Sequence, residues 1–193
     1  MSVTPIKDDR NPHSFYVTLS GPQVIGSVKV KIELWKTPAS ALRVLALKVS
    51  TISSAAGQTF VPTLTLGEIF ADKVYALGAR DRIKPRDIFD LWWLCEKEAP
   101  RLTMQSLSNR LSIYPAPSGE SIDTAHAWQT SACARMAELK APEAAKKVAQ
   151  DLKRWLPASW PIDTSAAAPM LERSIAHLQA GIDMMRTFVL AWL

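Results

Sequence analysis

A lysine sits inside an apolar helical stripe in the segment 68–94, EIFADKVYALGARDRIKPRDIFDLWWL. Read as a helix over 68–79, this segment repeats Ile69, Phe70, Val74 and Leu77 at three- and four-residue spacing, with Lys73 among them rather than opposite. A second helical pattern follows Pro85 and carries Asp87 and Asp90 among Ile88, Phe89, Leu91, Trp92, Trp93 and Leu94. It is apolar almost all round, which predicts burial on most sides, with Asp90 going in with it. An unpaired buried charge costs several kcal/mol, so Lys73 or an arginine of the intervening loop is expected to pair with Asp87 or Asp90.

Plainer readings fit the same residues. Asp87 lies two positions after Pro85, where a first-turn carboxylate interacts with the helix dipole for about 0.3 to 1 kcal/mol. Arg86 and Asp90 are four apart and can form an exposed pair of roughly 0.3 to 0.5 kcal/mol. Periodicity by itself favours structural pairing over catalysis.

Before this segment the chain reads as β-rich. Residues 14–20 and 24–35 are parted by Gly21 and Pro22 and read as a hairpin. In the second run Val28, Val30, Ile32 and Leu34 alternate with Lys29, Lys31, Glu33 and Trp35, so Glu33 lies on the less apolar face. Residues 40–50 fit a strand or a short helix, and Val61 to Leu66 a further short strand. From Glu68 onward the pattern is helical, broken at Pro100, 114–120, Pro142 and 157–169, with helices expected over 121–140, 143–155 and 169–193. The expected fold class is α+β, an antiparallel-rich sheet region over 1–66 followed by a helical bundle over 67–193. The last helix stays apolar to its final residue and is expected to dock on the body, on a second copy or on a partner.

Composition narrows the function classes. Hydrophobic residues at 48% and charged residues at 21% are ordinary globular usage and argue against wholesale disorder. Cys95 and Cys133 are too few for a disulfide scaffold or a four-ligand zinc site. His13, His126 and His177 are isolated from one another, and no ligand set of metal spacing is apparent. Neither a nucleophile constellation nor a glycine-rich phosphate loop can be read. MSVTPIKDDRNPHSF lacks the apolar core of a secretion signal, and no apolar run reaches about 18 residues, so a cytoplasmic, non-membrane protein is expected. The net charge is +5, and the excess lies in residues 1–97, which hold 13 basic and 9 acidic side chains against 10 and 9 in the remainder. Arg80, Arg82, Lys84 and Arg86 suit nucleotide phosphates or an RNA backbone, although a solvated loop explains the charge equally simply.

The order LGEIFADKVYAL, then ARDRIKPRDIFDLWWL, resembles the AbiEii-type abortive-infection nucleotidyltransferase toxins over residues 15–97. Ala71, Asp72 and Lys73 resemble the family's lysine helix, 80–84 its arginine-rich loop, and Arg86, Asp87, Ile88, Phe89, Asp90 and Leu91 its arginine-aspartate motif. Glu33, in VKVKIELWKT, matches the family's later acidic strand position. The resemblance implies that Lys73 contacts a nucleoside triphosphate, with Glu33 and Asp87 on the metal and acceptor side. Arg80, Arg82, Lys84 and Arg86 would bind substrate, and Asp90 would serve as a structural partner. The family's usual opening, a glycine-serine or glycine-glycine turn followed by an aspartate-x-aspartate strand, is not found here. Gly26-Ser27 runs directly into the Glu33 strand, and the adjacent Asp8 and Asp9 point to opposite faces of any strand. The chain thus looks like the family's C-terminal part. The expectation is a nucleotidyltransferase-like toxin or phage-defence component, incomplete alone, using magnesium and a nucleoside triphosphate if active. A protein partner or second copy is expected, with RNA as a further partner. The alternative is a catalytically inactive protein- or RNA-binding module needing no cofactor.

Overall fold

In the computed structural model, residues 2–6, 13–21, 24–34, 45, 47–54, 57–98, 100–114 and 120–191 are described. They fall in two compact units, 1–39 and 40–193. Asp8 and Asp9 lie outside the described residues.

The first unit is a three-stranded antiparallel sheet in the order β1 (Ser2–Pro5), β2 (Ser14–Gly21), β3 (Val24–Glu33). Phe15 pairs with Ile32 and Val17 with Val30, so the expected hairpin forms in a register that matches apolar positions across the strands. The register shifts between Ser20 and Gly21, where the strand runs into the turn. β1 was not legible, because four residues ending in proline have no period of their own and become a strand only by pairing along β2.

Among the described residues of the second unit, β4 (Leu47–Ser54) and β5 (Gly57–Leu64) form a hairpin. Of the strand or short helix expected at 40–50, residues 47–50 are strand and 40–44 and 46 lie outside the described residues, while the short strand expected at 61–66 begins earlier, at Gly57, and ends at Leu64. The turn lies at Ser54 and Gly57, and Gly57 adopts φ 123°, a backbone region open to glycine. Strand character here comes from β-branched Val49, Thr51, Ile52, Thr59, Val61 and Thr63, a Ser/Thr-rich pattern that a hydrophobic period does not register.

Among the described residues six helices follow: α1 (Leu66–Ala79), α2 (Pro85–Glu98), α3 (Met104–Ile113), α4 (Ser121–Leu139), α5 (Ala144–Leu152) and α6 (Thr164–Leu190). The α+β class therefore holds. α6 starts before Pro169 because the Asp163 carboxylate accepts from Ala166 N at 2.8 Å, capping a run of three alanines. The proline then sits near the start of the helix, and Ala167, Met170 and Leu171 are buried around it.

α6 is the spine of the bundle, packed against each of the other five helices. Its buried stripe runs through Leu171, Leu178, Ile182, Met185 and Val189, so its apolar face docks on its own chain. Leu190 is 65% exposed, and Trp192 and Leu193 lie outside the described residues. Trp128 of α4 wedges between α1 and α6, where a Cβ on Gly78 would meet its ring at 2.7 Å and one on Gly181 at 3.2 Å. Both glycines are there because the indole occupies the space a side chain would need.

α2 departs from the all-round burial expected of it. Ile88, Leu91 and Leu94 are buried, Phe89 and Trp92 are half-buried, and Trp93 is exposed. Asp87, not Asp90, goes into the core: their side chains are 1% and 39% exposed. Asp87 shares the face of Leu91 and Leu94, four and seven residues on, whereas Asp90 lies at the margin of that face.

Candidate active site

The end of α1 and the start of α2 bring four charges together. Lys73 Nζ lies 2.9 Å from Asp87 Oδ1 and 2.6 Å from Asp90 Oδ2. The other Asp87 oxygen accepts from Arg80 Nη1, so both oxygens of this buried carboxylate are held by cations. Lys73 remains 26% exposed, and the cluster therefore sits at the edge of the core with its ammonium within reach of solvent. Local sequence builds this. Arg80 is the C-cap residue of α1, in extended conformation, and five residues later Pro85 starts α2, so Asp87 comes back against the last turns of α1.

Arg80 has its pKa lowered first by burial and then by repulsion from Arg86. Arg82, Lys84 and Arg86 line a hollow of about 370 Å³ with Ile83, Pro85, Asp151 and Trp155. Glu33 ends β3 in the first unit, opposite Ser14, and its side chain is outside the described residues. Lys73, Arg80, Asp87 and Asp90 are thus brought together, and Arg82, Lys84 and Arg86 line one adjoining hollow.

A second charged network escaped the sequence reading. Arg110 of α3, 1% exposed, donates through Nη2 to the Glu68 carbonyl at 2.5 Å and to Glu68 Oε2 at 2.7 Å. Its Nε lies 3.4 Å from Asp72 Oδ1, which also accepts from Tyr114 OH at 3.0 Å. Tyr75 stacks between Tyr114 and Trp128, at centroid distances of 5.5 and 5.8 Å, and Trp128 Nε1 donates to Tyr75 O. Burial pushes both tyrosine hydroxyls up to about 12, so they act as hydrogen-bonding groups and not as acids at neutral pH. The signal was present: Leu107, Arg110, Leu111 and Tyr114 share one helical face, the same anomaly as Lys73.

The described residues do not fit a divalent metal. Among them no three His, Cys, Asp or Glu side chains converge, and Asp87 and Asp90 already face cations. The exposed cations of the loop do fit polyphosphate, which guanidinium grips through paired donors.

A lysine and an arginine held on one buried carboxylate stand beside a basic hollow on an α+β scaffold. Residues 5–158 match the family described as nucleotidyl transferase AbiEii toxin, Type IV TA system, and the chain belongs to that family. The match extends well past the motifs at 15–97 on both sides. No curated protein and no solved structure matches the chain. Among the described residues no helix is long and apolar enough to cross a membrane.

Proposed function

We propose that this protein is a nucleotidyltransferase-like toxin or phage-defence component that is incomplete alone and acts with a protein partner. The observation that carries the reading is the Lys73 ammonium, held by Asp87 and Asp90 on a side chain that is only half-buried. An ammonium has three donors, so two carboxylates leave one N–H for a phosphate oxygen. Asp87 fixes Lys73 and Arg80 in place, and Arg82, Lys84 and Arg86 supply further positive charge for a triphosphate. Transfer of a nucleotidyl group is mostly positioning and charge neutralisation, and these residues provide both. Catalysis in this family class would draw on magnesium, and the described carboxylates do not supply its ligands. We therefore infer that the metal-holding carboxylates come from outside the described residues. The two free cysteines fit a reducing cytoplasm.

The same saturation of Asp87 and Asp90 by cations favours a second reading, an inactive binding module for protein or RNA. The two separate in one experiment. The chain is purified alone and with the product of its neighbouring reading frame, then incubated with labelled nucleoside triphosphates, magnesium and bulk tRNA or protein. Labelling only by the pair, and abolished by Lys73→Ala, supports the partnered enzyme. Labelling by the chain alone overturns partner dependence, and no labelling by either preparation leaves the binding module.

A further inference from the structure

The hollow beside the cluster contains an aromatic residue that the transfer reading does not use. Trp155 follows α5 in a tight turn and is 64% exposed. Both its own amide and that of Leu156 donate to Leu152 O, each at 2.9 Å, so the indole is mounted on a fixed turn. A large ring left this open on a rigid mount is unusual, since burying it would be worth more than leaving it in water. The Arg86 guanidinium lies over the ring at 5.9 Å from its centroid, which sets a cation directly beside an aromatic face. Arg82 and Lys84 complete the basic wall, while Asp151 is the carboxylate of the lining.

We propose that this hollow is a nucleotide-binding subsite in which a base stacks on Trp155, its phosphate is held by Arg82, Lys84 and Arg86, and Asp151 accepts from an exocyclic amine of the base. A positively charged wall with an exposed aromatic ring is the arrangement by which proteins hold unpaired nucleotides, through stacking and backbone charge together. Positive side chains are crowded here: Arg86 already repels Arg80 across the first turn of α2, and a bound phosphate relieves that repulsion. Arg86 and Asp87 are consecutive in the first turn of α2, so the hollow and the Lys73 cluster lie on neighbouring sides of that turn. The subsite rests on the transfer reading only for the use made of the bound nucleotide.

Anisotropy of short fluorescein-labelled oligoadenylate and oligouridylate, without triphosphate or metal, tests the proposal. The parent chain is expected to bind at low salt, oligoadenylate more tightly, because uracil has no exocyclic amine for Asp151. Trp155→Ala is expected to weaken binding by about tenfold or more and Trp155→Phe to restore most of it, as stacking on an aromatic ring requires. Arg82→Gln with Arg86→Gln is expected to lower the salt dependence, by roughly one unit of slope for each lost phosphate contact. Displacement by AMP assigns the subsite to single nucleotides, and its failure assigns it to a strand; either supports the shared chemistry. Binding by Trp155→Ala as tight as by the parent, with both melting alike, overturns the proposal, as does absence of binding by the parent. A chain that binds but never transfers, alone or with its partner, refutes the transfer reading and leaves the subsite standing.

Discussion

Lys73 and Asp87 meet at 2.9 Å although only the lysine reaches solvent, so one partner of this ion pair is in the core and the other at its rim. The asymmetry decides what each residue does. Asp87, bound by Lys73 and Arg80, is the fixed anion of the cluster; Asp90, more than a third exposed, trims the position of the ammonium.

Asp87→Ala is accordingly expected to destabilise the chain far more than Asp90→Ala. The first leaves two cations facing an apolar gap, a loss of about 3 kcal/mol on the scale of broken buried pairs. The second removes a half-solvated partner, worth about 1 kcal/mol or less. Urea unfolding of both variants measures the difference, and equal midpoints would refute the assignment of Asp87 as the buried anion.

Gly78→Ala illustrates packing against propensity. In an isolated helix the change stabilises by about 1 kcal/mol. Here the added methyl would lie 2.7 Å from the buried Trp128 ring, and overpacking of this kind costs about 1 to 3 kcal/mol. The variant is expected to melt below the parent, and Trp128→Leu to recover much of the loss in a double-mutant cycle. Additive effects would place the ring away from Gly78.

Arg110 should behave as a buried charge whose removal strands its partner. Arg110→Met removes the guanidinium that faces the Glu68 carboxylate in the core and is expected to cost about 3 to 5 kcal/mol. Adding Glu68→Gln should return part of that stability, because the remaining group is then neutral. Denaturant titration of the single and double variants reads the coupling; an unimproved double variant would show that Arg110 acts through Asp72 and Tyr114 instead.

His177, 3.2 Å from Cys95 Sγ and edge-on to Phe70, has its pKa lowered below its ordinary 6.5, first by burial and then by Arg173. The unfolded chain therefore binds this proton more readily than the native chain, and stability rises with pH across the interval from the native value up to 6.5. The contribution is complete above 6.5 and is lost as pH falls through that interval. Thermal melts of the parent and of His177→Gln over the acid range should converge as pH drops. Parallel curves would show that His177 titrates as it does in the unfolded chain.

Two anomalies in the sequence carried most of the site. Lys73 within an apolar stripe announced a paired lysine, and the PRDIFD segment supplied Asp87 and Asp90. The alternation of β3 and the periods of α1, α2 and α4 likewise gave their elements, since each repeats long enough for one face to be distinguished from the other. What sequence could not decide is which of two nearby carboxylates enters the core. Helical spacing puts Asp87 and Asp90 one turn apart, and only the docking of α2 against α1 and α6 sets the angle that buries the first and leaves the second at the rim. The same limit hid the Arg110 network, whose partner Glu68 lies 42 residues away on α1. Local pattern records which residues share a face; the burial that turns a shared face into a charge pair belongs to the packing of whole helices, which no short window contains.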